Sequence, residues 1–267
     1  MSINMNNNYD SAFVAFIDIM GFKDLVENNS HEELQIKFEK LFSSIVRMSL
    51  SYSKYKVIDE QGIKQLIPDT SKIIINSLII SDSVIFWTNN DSMKSFVDIS
   101  VVVRNLLSNA VFTGFPLRGA ISMGPISVYR NDLSSAMDNS QQTIIGRGIV
   151  NAYKLEMTQN WLGCVVDESC IATYRGYYDK YLNQNSDLAS IEYLIQQGLL
   201  AKYKTPYKTG KVKSDFVINW VSGNEEPPSE DLIRSCFSAH NKTADNWSVE
   251  SKILNTIQFR NSIIKRI

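Results

Sequence analysis

The chain has 267 residues, 44% of them hydrophobic, which is enough for the buried core of one large domain without disulfide staples. Its 27 Lys and Arg stand against 28 Asp and Glu, a net charge of −1, so no overall positive field marks a nucleic-acid or membrane-surface binder. Any polyanion it holds must be gripped locally.

Three cysteines, Cys164, Cys170 and Cys236, lack C-x-x-C spacing, and the only histidines are His31 and His240. Neither a disulfide framework nor a Cys/His zinc site is expected, and a reducing cytoplasm fits best. The opening Met1 to Asn8 has no basic and apolar regions of a signal peptide, and the apolar runs fall short of about 18 residues, so neither export nor a membrane span is expected.

In chain order, residues 12–19 read as a strand, and Leu34, Phe38, Leu41, Phe42 and Ile45 recur at helical spacing over 31–47. Lys72 to Ile80 and Ser83 to Trp87, rich in Ile and Val and split by Ser81-Asp82, predict a hairpin with an acid at its tip. A helix over 93–112 stops at Gly114-Phe115-Pro116. Leu117 to Tyr129 predicts a bent strand or strand pair, and a polar loop follows at 130–142. Gly146-Arg147-Gly148 opens a helix through Met157, and Gly163 to Val166 is a short strand. This order predicts an α+β, ferredoxin-like antiparallel sheet with helices on one face. Beyond it lie a Tyr-rich segment (Tyr174, Tyr177, Tyr178, Tyr181), a Lys-rich stretch Lys202 to Lys213, a strand Phe216 to Val221, a loop at Glu225 to Pro228 and a helix over 245–264. Residues 11–170 are expected to form the core, and 171–267 an elaboration of the same domain.

Two acids stand out. Asp18 ends the apolar run Phe13 to Ile17, and Asp82 interrupts Ile79 to Phe86. An ionised Asp in a buried strand is costly unless a partner or cation compensates, so two of them suggest a shared cation. The plain alternatives are a helix cap at Asp18 and a turn residue at Asp82.

The segments Phe16 to Phe22, Ser81 to Ser83, Arg118 to Gly124 and Gly146 to Glu156 occur in the order seen in class III nucleotidyl cyclases, which the chain resembles over about residues 11–170. Within them it is most similar to the stand-alone pyrimidine cyclases of the bacterial antiphage system called Pycsar. The resemblance implies that Asp18, Asp82 and the backbone carbonyl of Ile19 hold two divalent cations, Mn²⁺ or Mg²⁺. It also implies that the turn Met20-Gly21-Phe22-Lys23 offers N–H groups to a triphosphate, with Phe22 at the substrate. The ribose 3′-hydroxyl would attack the α-phosphate as pyrophosphate leaves, a step suited to two cations roughly 3.5–4 Å apart.

The departures from purine cyclases are informative. Alignment on Gly146 puts Val150 where an Asn orients the ribose, with Asn151 one place out of register, and Lys154 where an Arg serves the transition state. Lys154 offers charge without the bidentate fork of Arg; its plain alternative is a solvated helix face. Leu78 and Thr143 stand where purine readers belong, which points to a pyrimidine base. Tyr52 is the candidate that narrows the base pocket, with Tyr55 and Tyr153 as alternatives. Arg118 is a candidate phosphate contact or dimer-stabilising residue, with a structural ion pair as the plain alternative. None of Lys204, Lys208, Lys211 and Lys213 is assigned.

The expected activity is conversion of UTP or CTP, cUMP favoured over cCMP, to the 3′,5′-cyclic monophosphate and pyrophosphate. A homodimer with composite sites would carry it out, and a separate cyclic-nucleotide effector would read the product. The competing readings are a silent cyclase-fold module that binds nucleotide or protein, and a phosphoacceptor receiver domain. The antiparallel hairpin at Asp82 disfavours the receiver.

Overall fold

A computed structural model describes residues 4–51, 55–60, 63–68, 74–132, 140–181, 189–223 and 226–265. Strand β1 (Asn4–Ile19) is central, flanked by β5 (Ser83–Trp87) and β6 (Leu117–Asp132), with β4 (Asn76–Ile80) outside β5. All these neighbours run antiparallel. With the helical stretch before β4 and α4 (Met93–Thr113) after β5, the chain traces the ferredoxin-like order β4-β5-β1-β6. Beyond β6 the sheet becomes mixed: β8 (Gly163–Val166) lies parallel to β6, and β10 (Val212–Ile218) and β9 (Leu200–Pro206) follow antiparallel. The fold is α+β.

Period-2 alternation along β1 explains why both its faces are apolar. Phe13, Ala15, Ile17 and Ile19 face the main core with Phe96, Ile99, Val103 and Leu106 of α4. Ala12, Val14 and Phe16 face a second, smaller core with Ile85, Trp87, Ile126 and Ile149. Asp18 shares this second face by the same alternation. Helix α4 starts at Ser92, whose side chain accepts from Ser95 N–H, and ends at Gly114, φ +80°. It is long and apolar enough to cross a membrane by length and composition, yet its buried residues are central to the main core.

The expected layer of helices on one face needs one correction. Helix α5 (Arg147–Thr158) covers the opposite face, with Tyr153 edge-on to Phe16 and Gly148 against Val14. The sheet's second face is as apolar as its first there and needs a cover of its own. The helix expected over 31–47 is α2 (His31–Gln35), a wide π-helical stretch Ile36–Phe42 and α3 (Ser43–Ser51). A separate hairpin, β2 (Tyr55–Glu60) with β3 (Ile63–Pro68), follows it. Strand β7 (Ser140–Ile145) pairs back on β6 where the sequence suggests a polar loop.

The Tyr-rich segment forms α6 (Glu168–Tyr181), and α7 (Ile191–Gln196) precedes β9. Helices α8 (Glu230–Ser238) and α9 (Trp247–Ile264) close the main core, where Ile233, Phe237 and Phe259 join the cluster of Phe13 and Ile17.

Candidate active site

The two acids flagged by the sequence meet. Asp18 sits next to the end of β1, paired in register with Ser83 on one side and Arg118 on the other. Asp82 lies in the two-residue turn between β4 and β5, after Ser81 at φ +55°. Ile19 N–H donates to the Asp82 carbonyl at 2.9 Å, locking the turn to the strand end. The two carboxyl groups lie within hydrogen-bonding reach of each other. Burial, then the charges of Glu156 and Asp82, push the Asp18 carboxyl up from 3.8 to about 7, and Arg118 offsets only part of this.

A second layer supports the pair. The buried Glu156 of α5 is ion-paired with the Arg118 guanidinium, whose Nη2 lies 3.7 Å from Asp18 Oδ2. Arg118 Nη1 also donates to the Gln159 carbonyl at 3.2 Å. Gln159 Nε2 donates to Gly119 O at 2.8 Å, and its Oε1 accepts from Trp161 Nε1 at 3.0 Å. The end of α5 is therefore riveted to β6 beside Asp18. Of the roles open to Arg118, the structural ion pair is the one made within this chain.

The remaining sequence candidates separate. Phe22 opens α1 (Phe22–Glu27), half-buried, with its ring edge-on to Phe38 at 5.5 Å between centroids. Gly21 holds φ +76° at the turn. Lys154 is exposed on α5, pointing away from the core beside Tyr153. Leu78 joins the smaller apolar cluster, and Thr143 is exposed on β7. Tyr52 lies outside the described residues, as does the side chain of Tyr55; Tyr153 is exposed on α5 and stands edge-on to Phe16 at 5.3 Å.

As a donor set, two carboxylates and the Ile19 carbonyl suit a hard divalent cation that keeps water or phosphate oxygens in its other positions. Among the described residues no group of three or more His, Cys, Asp or Glu side chains could hold a metal by itself. The mutual repulsion at Asp18 and Asp82 is the feature a cation would relieve, and in that sense the residues fit.

No family model and no curated protein matches the chain. Among solved structures it is similar to the adenylyl cyclase CyaB from P. aeruginosa, at 14% identity over 80% of this chain and 95% of that one, TM-score 0.47. A dimeric guanylyl cyclase domain of the RhoGC fusion protein from the aquatic fungus Blastocladiella emersonii aligns at 12% identity over 81% and 98%, TM-score 0.47. The guanylate cyclase domain of RhGC from Catenaria anguillulae, in complex with GTP, aligns at 13% over 79% and 98%, TM-score 0.46. At these scores the functional reading is left to the site itself.

Two site residues carry no assignment in the sequence reading. Glu156 reaches Arg118 only because α5 folds over β6, 38 residues from its partner, and no local pattern announces that contact. Lys208, in the turn between β9 and β10, is tied to the end of α5 by its N–H donating to Thr158 O at 2.8 Å, and burial, then the charge of Arg118, pushes its ammonium down while Glu156 and Asp18 oppose the shift. The turn residues Thr209-Gly210 beside it were the available signal.

Proposed function

We propose that this chain is a pyrimidine nucleotidyl cyclase, dependent on two divalent cations, Mn²⁺ or Mg²⁺, and active as a homodimer. Its substrate is UTP ahead of CTP, and its product is a cyclic pyrimidine monophosphate read by a separate effector in antiphage defence. The observation that carries the reading is the meeting of Asp18 with Asp82, where burial, then the charges of Glu156 and Asp82, hold Asp18 near 7. Such a pair is poised for a cation and poorly explained as a cap and a turn residue.

Asp18, Asp82 and the Ile19 carbonyl would hold the cations, which supply acidity to the ribose hydroxyl and neutralise the phosphates. The O3′–Pα bond forms, the bond from Pα to the bridging oxygen breaks, the hydroxyl proton passes to solvent and pyrophosphate leaves. Backbone N–H groups at Gly21 to Lys23 orient the phosphates. Lys154 from the partner subunit's α5 supplies charge as the transition state forms. A dimer is supported by the apolar stripe Val150, Tyr153 and Met157, all exposed on α5, with Ile145 exposed beside it. The pyrimidine choice is supported by Leu78 and Thr143 at the reader positions and by the Tyr153 ring beside Phe16.

The test is incubation of the purified protein with each of the four NTPs and Mn²⁺, with products identified by mass. A cyclic pyrimidine monophosphate formed more than tenfold faster than the purine products is expected. Equal rates with ATP would overturn the base assignment. Nucleotide binding without turnover would make the protein a silent cyclase-fold module.

A further inference from the structure

A lysine far from the acids in sequence lies under their strand end. Lys242 is 6% exposed, and its ammonium donates to Gly114 O at 2.8 Å and to Ala239 O at 2.6 Å. Its alkyl chain fills the space beneath Gly21, where an added Cβ would meet Lys242 Cδ at 3.1 Å. Two residues past Gly114, Pro116 O accepts from Met20 N–H at 2.9 Å. Three chain segments, 20–21, 114–116 and 239–242, are thus knotted together immediately behind Asp18 and Ile19.

The segment that delivers Lys242 is sharply turned and heavily tied. His240 and Asn241 both hold left-handed backbone, φ +60° and +63°, a conformation uncommon outside glycine that Asn and His accept more readily than most side chains. His240 Nε2 donates to Thr113 O at 2.7 Å, and its ring lies 4.7 Å from that of Phe115. His240 and Asn241 carbonyls accept from Asn29 and Asn28 at 2.8 and 2.7 Å, and Thr243 N–H donates to Asp24. Burial pushes the Lys242 ammonium down to about 8, so the fold keeps this charge inside at some cost.

We propose that Lys242 is a positioning residue: through Gly114 and Gly21 it fixes the end of β1, and with it the reach of Asp18 and the Ile19 carbonyl toward substrate. This deepens the cyclase reading and rests on it for its effect on turnover. Hydrogen bonds that tie three segments together directly behind the acids set their placement, and a misplacement of about 1 Å at reacting groups can cost about 10²-fold in rate.

Lys242→Met keeps the alkyl filler and removes the two ammonium hydrogen bonds. Two readouts are taken: amide hydrogen exchange at Ile19 and Met20, and the nucleotide KM and kcat at saturating Mn²⁺. Exchange at least tenfold faster at both amides, with kcat/KM per folded molecule lowered about 10²-fold, is expected. Unchanged exchange, or a loss of turnover no larger than the loss of folded protein read by circular dichroism, would mean that Lys242 merely sustains the folded fraction, and would overturn the proposal. If wild-type protein converts none of the NTPs, the cyclase reading fails while the exchange result still decides the role of Lys242. Should Lys242→Met not fold, His240→Gly, which accepts the backbone conformation but gives up Thr113 and Phe115, is expected to speed the same two amides, and slow exchange there would refute the clasp.

Discussion

Replacing Asp18 with asparagine exchanges a carboxylate that the fold resists for an amide of the same shape, so the variant is expected to be dead as an enzyme and more stable as a protein. The carboxyl moves from 3.8 to about 7 on folding, and at about 1.4 kcal/mol per tenfold in acidity this is about 4 kcal/mol. With its side chain 22% exposed, water relieves part of that penalty, and about 2 kcal/mol is the working figure. For a chain of this length that corresponds to roughly 4–8 °C in Tm.

The sign follows from proton binding. The folded state holds the Asp18 proton more tightly than the unfolded chain, so the wild type loses stability from this group as pH rises from about 4 to about 7, and carries the full penalty above 7. Thermal unfolding of both proteins in EDTA, from pH 5 to pH 8.5, should show their Tm difference widening with pH and then levelling. Saturating Mn²⁺ at pH 8 should stabilise the wild type and not the variant. A variant less stable than wild type at pH 8, or a difference independent of pH, would refute the account of Asp18 as a strained carboxyl awaiting a cation.

Mixing inactive Asp18→Ala with inactive Lys154→Ala protein should restore turnover, since one of the two composite sites in the heterodimer keeps every group; the Lys154 variant alone should lose about 10²–10³ in kcat. A dead mixture after verified subunit exchange would remove Lys154 from the site. Arg118→Met leaves Glu156 buried and unpaired and should cost about 3–5 kcal/mol in urea unfolding, most of it recovered in Arg118→Met/Glu156→Leu. Cys164, Cys170 and Cys236 are buried with their thiols pushed up, Cys236 to about 12, so a thiol-reactive dye should label none of them until the chain unfolds.

The acids were legible in sequence because each breaks an apolar strand, and such a break is a local event. The tip position of Asp82 followed from Ile and Val runs on either side of it. The polar first half of β1, with Asn6-Asn7-Asn8, gives no alternation to read; it is a strand because β6 offers Tyr129, Val128 and Ser127 as partners. The face taken by α5 was hidden for the same reason: Ile149, Ala152 and Leu155 can pack on either side of a sheet whose both faces are apolar. Glu156 and Lys242 were invisible because their meaning lies in contacts 38 and 128 residues distant.

Those distances also order events at the ribosome. Asp18 and Asp82 emerge early and pair as soon as β5 and β6 close on β1, yet Asn29 waits 211 residues for the His240 carbonyl that fastens its helix turn. Since domains assemble as they are synthesised, the nascent chain passes through a long interval in which the acids are in place and their clasp is not. On the proposed cyclase reading, an activity whose last fastening is among the later-made segments would not fire from a half-made polypeptide, and a protease that trims the chain before Ala239 would silence it without touching either carboxylate.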